Sequence, residues 1–254
     1  MPPISIKTPA EIKIMTEGGR KLARVREVLA QTIKPGITTL EIERLANKLI
    51  TEEKATASFK MVPGYHWATC INVNDVVVHG IPGPQKLKSG DIVGIDVGIY
   101  WRGWHTDTSV TVPVGHVNPG VQRFLEVGKT GLREAISRAR PGQRVADLSA
   151  AMQEAVEAAG FSAVRALTGH GIGHALHEEP QIPCFSLGSY HKSPLLVSGM
   201  VLAIEIMYNQ GTSEVMYQND DGWTIATADG KISGLFEETV AVTARGPVVL
   251  TTVK

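Results

Sequence analysis

The chain has 254 residues, and its 25 basic and 25 acidic side chains give a formal net charge of zero. Without a lysine or arginine run, nucleic acid is excluded as the main partner. Cys70 and Cys184 are too few for a disulfide framework and indicate a reducing compartment. The stretch Met1 to Lys7 lacks a signal-peptide core, and no apolar run approaches the roughly 18 residues of a membrane span. We therefore expect a soluble, cytoplasmic protein.

Two helices are predicted at the start of the chain. Thr8-Pro9-Ala10-Glu11 combines a capping box with a proline in the first turn, and Lys34-Pro35-Gly36 should end that helix. A second helix opens at Thr39 and carries an apolar face as far as Ile50. A loop and two short strand-like runs follow, from Phe59 to Ala68, Thr69 to Asn74 and Val76 to Val78.

The stretch from Gly90 to Val112 alternates with a period of two and predicts a hairpin with a tight turn between Trp101 and Gly103. If Trp101-Arg102 is the loop, Asp96 lies directly opposite Asp107, with Cβ atoms about 4.5–5.5 Å apart. Buried like charges at that distance repel each other, so the two carboxyls either share a proton or hold a cation.

The second half of the chain repeats the helix–helix–strand order. Helices are predicted from Val121 to Arg140 and from Val145 to Ala159, with Pro141-Gly142 between them. We predict an α+β fold in which two related halves, approximately 8–120 and 121–254, share one sheet.

Acidic residues recur at matching strand positions in the two halves. Glu205 falls where Asp96 falls, and Glu237-Glu238 falls where Asp107-Thr108 falls. Glu205 lies in an apolar run, where a carboxylate is rarely buried without a partner, although an edge-strand position in solvent is the plainer alternative. Glu237 and Glu238 alternate on a strand, so only one of them can share an interior with Asp96; both could also be surface residues.

Three histidines lie between Thr168 and Pro180. His170 and His174 have the spacing of a helical zinc pair, but Gly171 and Gly173 would each cost a helix about 1 kcal/mol relative to alanine. The glutamate of the helical zinc motif is also missing. A glycine-rich loop that presents His170 fits better, and a structural role remains an equal alternative for any one of these histidines.

Together, these residues suggest a site with about four carboxylates and one imidazole. Such ligands suit Mn, Fe, Co or Zn at a two-metal centre. A centre of this kind generates a hydroxide near neutral pH and polarises a carbonyl, which indicates hydrolysis.

The motifs resemble those of type I methionine aminopeptidases over nearly the whole chain. They are Val78-His79-Gly80-Ile81-Pro82, Ile95-Asp96-Val97, Asp107-Thr108-Ser109, Gly169-His170-Gly171-Ile172-Gly173, His177-Glu178-Glu179-Pro180, Ile204-Glu205 and Phe236-Glu237-Glu238-Thr239. The resemblance implies a single catalytic domain over 1–254 with the pita-bread fold, whose two pseudo-symmetric halves share a curved antiparallel sheet covered by helices. It also implies the short bacterial form.

The resemblance further implies roles for individual residues. The ligands of two divalent metals would be Asp96, Asp107, His170, Glu205 and Glu237, with Asp107 and Glu237 bridging. A metal-bound water or hydroxide would attack the carbonyl of an N-terminal methionine that precedes a small second residue, and Glu205 would accept and shuttle the proton. His177 would bind the peptide carbonyl or the tetrahedral intermediate, and His79 would hydrogen-bond near the scissile nitrogen.

The methionine side chain would enter a pocket formed by Tyr65, Cys70, Leu176 and Trp223. Filling that pocket is worth roughly 1.5–3 kcal/mol, enough to favour methionine over small residues. Taken alone, Cys70 is more readily a small core residue than a nucleophile. The implied partners are N-terminal methionine peptides and nascent chains, with the ribosome left open, no membrane, no specific nucleic acid and a monomeric state.

Three residues depart from the family pattern. Glu238 stands where histidine is frequent, Ile206 where proline usually follows the glutamate, and Leu176 where an aromatic residue is frequent. None of them removes a ligand, so activity is still expected. One alternative is an Xaa-Pro aminopeptidase or prolidase on the same fold; the other is a metal-free member that acts as a binding protein.

Overall fold

The computed structural model describes residues 3–253. Met1, Pro2 and Lys254 lie outside the described residues, and so does the part of the signal-peptide prediction that rests on Met1 and Pro2.

Both predicted N-terminal helices are present, as α1 (Pro9–Thr32) and α2 (Thr39–Glu52). Each begins with a complete capping box. The hydroxyl of Thr8 accepts the N–H of Glu11 before α1, and the hydroxyl of Thr38 accepts the N–H of Glu41 before α2. Local sequence therefore determines where both helices begin. The strands of this half are β1 (Thr56–Ala57), β2 (Thr69–Val73), β3 (Val76–Val78), β4 (Ile92–Trp101) and β5 (Trp104–Pro113).

The second half repeats the helix pair with α3 (Pro119–Arg138) and α4 (Val145–Glu157). Helix α3 begins two residues earlier than predicted because the side chain of Asn118 caps it, accepting the N–H of Val121. The remaining strands are β6 (Ser162–Ala163), β7 (Thr168–Gly171), β8 (Glu178–Pro183), β9 (Val201–Asn209), β10 (Val215–Tyr217), β11 (Ile225–Thr227), β12 (Ser233–Thr243) and β13 (Gly246–Val249). Short 3-10 helices occupy Phe59–Met61 and Tyr190–Lys192.

One sheet takes strands from both halves, in the order β1-β4-β5-β12-β9-β7-β8, with β2, β6 and β13 added at the side of β4, β9 and β12. Its strand pairs are antiparallel. Strand β12 of the second half lies beside β5 of the first, so the two halves meet in the middle of the sheet. The predicted α+β fold class and the shared sheet are confirmed.

The hairpin of β4 and β5 has a different register from the predicted one. Its loop is Arg102-Gly103, both with positive φ (48° and 93°), as a type I′ turn requires. Asp96 therefore pairs with Ser109, and Asp107 pairs with Gly98. The prediction that Asp96 lies directly opposite Asp107 was wrong. The shift of two residues nevertheless keeps both carboxylates on the same face, where they are diagonal neighbours.

The helices cover one face of the sheet, and each half has its own apolar core. One core contains Leu22, Leu29, Ile42, Val93, Ile95 and Val97; the other contains Phe124, Leu148, Met152, Ile204, Ile206 and Tyr208. A third cluster, with Tyr65, Cys70, Ile172 and Leu176, lies near the acidic residues on the opposite face. None of the helices within residues 3–253 is long and apolar enough to cross a membrane.

Candidate active site

A row of polar residues crosses the middle of the sheet. Asp96 on β4 pairs with Ser109 on β5, Ser109 with Glu237 on β12, and Glu237 with Glu205 on β9. Because directly paired residues of an antiparallel sheet point to the same face, these side chains lie side by side.

A second row lies two residues along the strands. Asp107 pairs with Gly98 on one side and hydrogen-bonds to Thr239 on the other. Thr239 pairs with Ala203, and Ala203 pairs with His170. His170 therefore lies on a strand, β7, and the prediction of a glycine-rich loop was wrong at this residue; the helical alternative is absent as expected. The long-range pairing of β7 with β9 overrides the glycines that surround His170.

The two rows bring acidic and imidazole groups together. Ligand atoms of Asp107, His170 and Glu237 lie within 4.8 Å of one another. Asp96 and Glu205 line the same cavity. Within residues 3–253, no lysine or arginine forms a salt bridge with any of the four carboxylates. Oδ1 of Asp96 and Oε1 of Glu237 are buried without a described hydrogen-bond partner. Burying a carboxylate that has no positively charged partner is costly, so buried carboxylates are normally paired with a cation. These residues therefore fit divalent metal ions.

Burial and mutual repulsion change the protonation of these acids. Burial raises the pKa of Asp107 to about 7 and that of Glu205 to about 8, where the Asp107 charge adds to the effect. Burial, followed by the charges of Asp107 and Glu205, also raises the pKa of Asp96 and Glu237 well above the usual range. In the protein without a cation, the cluster therefore retains protons that free carboxyls would release.

His170 has the neutral form that a metal ligand needs. Burial lowers its pKa to about 3, and its Nδ1 lies 2.9 Å from the carbonyl oxygen of Gly171. Because a carbonyl only accepts, Nδ1 carries the hydrogen and Nε2 keeps its lone pair for a metal.

The acids form the floor of a cavity of about 130 Å³ that contains every predicted site residue. The predicted pocket residues Tyr65, Cys70, Leu176 and Trp223 line it. Phe59, Val62 and Val78 also line it and were not predicted. Phe59 lies in a 3-10 helix of one turn and Val62 directly follows it. This stretch is too short to show hydrophobic periodicity, so the sequence did not predict which way the two side chains point.

Aromatic rings form the apolar wall of this cavity. The ring of Tyr65 packs edge-on against Phe59 and Trp223, with centroids 6.4 and 5.1 Å apart. Its hydroxyl lies 2.9 Å from the Thr69 carbonyl and 3.2 Å from Sγ of Cys70. Burial raises the pKa of the Cys70 thiol well above its usual value. Cys70 is therefore a neutral, apolar part of the wall.

Two further histidines stand at the rim. His177 packs edge-on against His170, with ring centroids 4.5 Å apart, and burial lowers its pKa. His79 has φ of 58°, a left-handed conformation that is uncommon outside glycine and often marks functional sites. Burial, together with the nearby His177, lowers the pKa of His79. Both rings are therefore neutral near pH 7, each with one N–H to donate.

A wider groove of about 480 Å³ opens beside the cavity and shares His79, His170, His177 and Glu205 with it. Leu167, Thr168, Gln181 and Met207 line the part of the groove that is not shared with the cavity. A chain attached to a group in the cavity could therefore leave through this groove.

The three departures from the family pattern have separate explanations. Ile206 is buried in the second core, where a Cβ on Gly131 of α3 would lie 2.5 Å from its Cδ1, so it faces away from the site. Glu238 also faces the helices and accepts a hydrogen bond from Arg26. Leu176 lines the cavity and gives that wall a smaller side chain than an aromatic residue would.

The comparisons with known proteins agree with this geometry. The model of metallopeptidase family M24 matches residues 13–244. Methionine aminopeptidase 1 of Bacillus subtilis is 44% identical over 250 residues, covering 98% of this chain and 100% of the relative. The crystal structure of a methionine aminopeptidase from Thermotoga maritima superposes with a TM-score of 0.94 at 39% identity, covering 98% and 100% of the two chains.

Prolidase from Pyrococcus furiosus is more distant. It has a TM-score of 0.76 at 22% identity, and the match covers 98% of this chain and 66% of the prolidase. This similarity shows the fold alone.

Fold and site together define a metal-dependent peptidase in which acids from two related halves meet in one sheet, and the expected pita-bread fold is confirmed. The chain belongs to the methionine aminopeptidases of metallopeptidase family M24.

Proposed function

We propose that this protein hydrolyses the peptide bond after an N-terminal methionine, at a centre of two divalent cations. The observation that carries the proposal is the combination, in one cavity, of an apolar wall with four carboxylates and one imidazole. The wall fits an unbranched thioether side chain, and the acids fit the metals of a hydrolase.

The order of strands supports Asp107 and Glu237 as the two ligands that a pair of cations would share. These two acids lie on the central strands β5 and β12, while Asp96 lies beyond them on β4, and Glu205 and His170 lie on the other side. When bound, the cations would supply a nucleophile from water near neutral pH and polarise the scissile carbonyl. Co, Mn, Fe and Zn all suit these ligands.

Glu205 is the residue we assign to proton transfer. Its side chain lines both the cavity and the wider groove beside it, which is where the bond after a bound methionine would lie. It would accept a proton from the attacking water and deliver it to the nitrogen of the departing peptide.

The neutral histidines would act as hydrogen-bond donors to the substrate. His177, beside His170, would donate to the carbonyl oxygen as it gains negative charge. His79, on the facing rim, would hydrogen-bond near the scissile nitrogen. The second residue of the substrate would lie beside these histidines, where we expect a small side chain to be favoured.

Specificity for methionine would come from the wall of Tyr65, Cys70, Leu176 and Trp223. Burial of the methionine side chain is worth roughly 1.5–3 kcal/mol relative to exposure. We propose N-terminal methionine peptides and nascent chains as substrates of a monomeric, cytoplasmic enzyme. The buried, unpaired thiols Cys70 and Cys184 support a reducing location.

The test removes metals with a chelator, adds back Co, Mn, Fe or Zn separately, and measures release of the first residue from Met-Ala-Ser and Ala-Pro peptides. We expect no turnover after chelation, recovery with at least one metal, and methionine release only. Preferential cleavage of Ala-Pro would favour an Xaa-Pro peptidase, which only the fold supports. An absence of both metal binding and turnover would favour a binding protein.

A further inference from the structure

The seam between the two halves is built differently from the rest of the sheet. Each residue of β12 from Ser233 to Ala241 pairs with β9, and β4 pairs with β5 along its whole length. Between β5 and β12, direct pairing is confined to Ser109 with Glu237 and Thr108 with Glu238. The strands that carry the two central acids therefore diverge on both sides of Glu237.

On the side of Asp107, the C-terminal segment bonds to the backbone of β12. Thr239 would continue the ladder to Asp107, but its backbone is already engaged: its N–H donates to the hydroxyl of Thr251 at 3.0 Å, and its carbonyl accepts the N–H of Leu250 at 2.8 Å. The segment of Leu250 and Thr251 thus takes the place of a strand beside Thr239.

The side chain of Thr239 replaces the missing ladder. Its hydroxyl accepts the N–H of Asp107 at 2.9 Å and donates to the carbonyl of Asp107 at 2.7 Å. All three residues here are buried, with Thr239 and Thr251 0% exposed and Asp107 4%. Without this hydroxyl, the backbone of Asp107 would lose two buried hydrogen bonds.

Thr111 provides the same arrangement on the other side of Glu237. Its hydroxyl accepts the N–H of Leu235 at 3.0 Å and donates to the Leu235 carbonyl at 2.7 Å. The two hydroxyls therefore have equivalent contacts, but only Thr239 holds the backbone of an acid in the cluster.

We propose that Thr239 is a positioning residue that sets the separation of Asp107 from Glu237 and thereby the affinity for the second cation. Glu237 lies two residues before Thr239 on β12, so the hydroxyl fixes Asp107 relative to the strand that carries its partner acid. The carboxylate of Asp107 is itself oriented by the N–H of Thr108 at 2.9 Å. A shift of the backbone at Asp107 would therefore move its carboxylate as well. This inference rests on the proposed two-cation centre.

The test compares Thr239→Val and Thr239→Ser with the matched control Thr111→Val. Chelated proteins are titrated with Co²⁺, and stoichiometry and affinity are measured by calorimetry and by the visible absorption of bound Co²⁺. Loss of partners around metal ligands typically costs about 10–100-fold in affinity. We expect T239V to bind the second Co²⁺ at least about tenfold more weakly, T239S to recover most of that loss, and T111V to resemble the parent.

Two results would overturn the proposal: T239V with two Co²⁺ sites of parental affinity, or T111V with an equal loss. Melting of the metal-free variants identifies a general loss of stability. If T239V does not fold, Thr239→Ala removes the same hydroxyl without the branched methyl and is expected to give the same order of affinities. A parent protein that binds no second cation would instead contradict the two-cation centre itself.

Discussion

The ammonium of Lys7 lies 2.6 Å from Oε2 of Glu178, with side chains only 1% and 13% exposed. The other oxygen of Glu178 accepts the N–H of Ala175 at 3.1 Å. The turn closed by this bond carries Leu176 and His177, both of which line the cavity. The N-terminal segment therefore holds a turn that forms part of the cavity lining.

We predict that Lys7→Met lowers kcat/KM for methionine peptides while cation affinity stays unchanged. Without the ammonium of Lys7, the largely buried Glu178 carboxylate is left without its charged partner. A buried polar group that loses its hydrogen-bond partner costs about 1–3 kcal/mol. The carboxylate would turn toward water and release the turn. Steady-state kinetics and Co²⁺ titration of the same preparation separate the two effects.

Gly173 offers an independent check of the Lys7 contact, because a Cβ there would lie 2.6 Å from Cε of Lys7 and 2.7 Å from the Glu178 carboxylate. Gly173→Ala should reproduce the Lys7→Met kinetics, whereas Lys13→Met, on the exposed face of α1, should not. Unchanged kcat/KM in both Lys7→Met and Gly173→Ala would refute a role for this contact.

The stability of the metal-free protein should fall as the pH rises from about 6.5 to about 8. Burial raises the pKa of Asp107 to about 7 and of Glu205 to about 8, whereas unfolded carboxyls titrate near pH 4. In this window, the native state holds protons that the unfolded state has released. Each such proton lowers the free energy of unfolding by about 1.4 kcal/mol for every unit that the pH rises. The lowered pKa of His170, about 3, acts in the opposite direction, but only below about pH 6.5.

Thermal melting of the chelated protein across this window measures the effect. Bound cations stabilise the charged carboxylates, so the metal-loaded protein should lose less stability over the same interval. A melting temperature of the chelated protein that is constant or rises from pH 6.5 to 8 would contradict the raised pKa values.

Much of the fold follows from local sequence, as the starts of α1 and α2 illustrate. Their capping boxes lie within four residues and do not depend on tertiary contacts. The register of the central hairpin does depend on more than its pattern. Arg102 occupies a left-handed turn position that usually takes asparagine or glycine, so the sequence favoured the wrong pair of loop residues.

The error at the hairpin left the predicted acid cluster intact because a shift of two residues preserves the face of every side chain. Long-range features were not accessible in this way. The strand at His170 forms through pairing with β9 and β8, and Thr239 meets Asp107 across the seam between the two halves, 132 positions away in the sequence. Neither contact produces a periodic pattern of residues that could be recognised in the sequence.

Glu237 and Glu238 should respond differently to the same substitution. Glu237 belongs to the acid cluster, so Glu237→Gln is expected to lose one cation and at least about 100-fold in kcat, since even indirect partners of a metal cost 10–100-fold. Glu238 lies on the opposite face, where it accepts from Arg26 at 2.8 Å and from the Thr251 hydroxyl. Glu238→Gln should keep both cations and lose about 1–3 kcal/mol of stability.

Metal analysis, kinetics and melting of the two purified variants test this contrast. If Glu238→Gln loses a cation as Glu237→Gln does, the assignment of the second glutamate to the helix face alone is wrong. If Glu237→Gln keeps both cations, Glu237 is not a bridging ligand.

Trp223 and Trp67 form a matched pair for testing the proposed methionine pocket. Both rings pack edge-on against Tyr65, with centroids 5.1 and 5.4 Å away, but of the two only Trp223 lines the cavity as described by residues 3–253. Trp223→Ala therefore removes apolar wall that a bound methionine side chain would contact, whereas Trp67→Ala leaves that wall in place.

A loss of about 1.4 kcal/mol of side-chain burial corresponds to a tenfold weaker interaction. We expect KM for Met-Ala-Ser to rise about tenfold in Trp223→Ala with a smaller change in kcat, and Trp67→Ala to change KM little. Equal rises in KM for both variants would mean that the aromatic cluster acts through the position of Tyr65, and that Trp223 is not itself part of the methionine pocket.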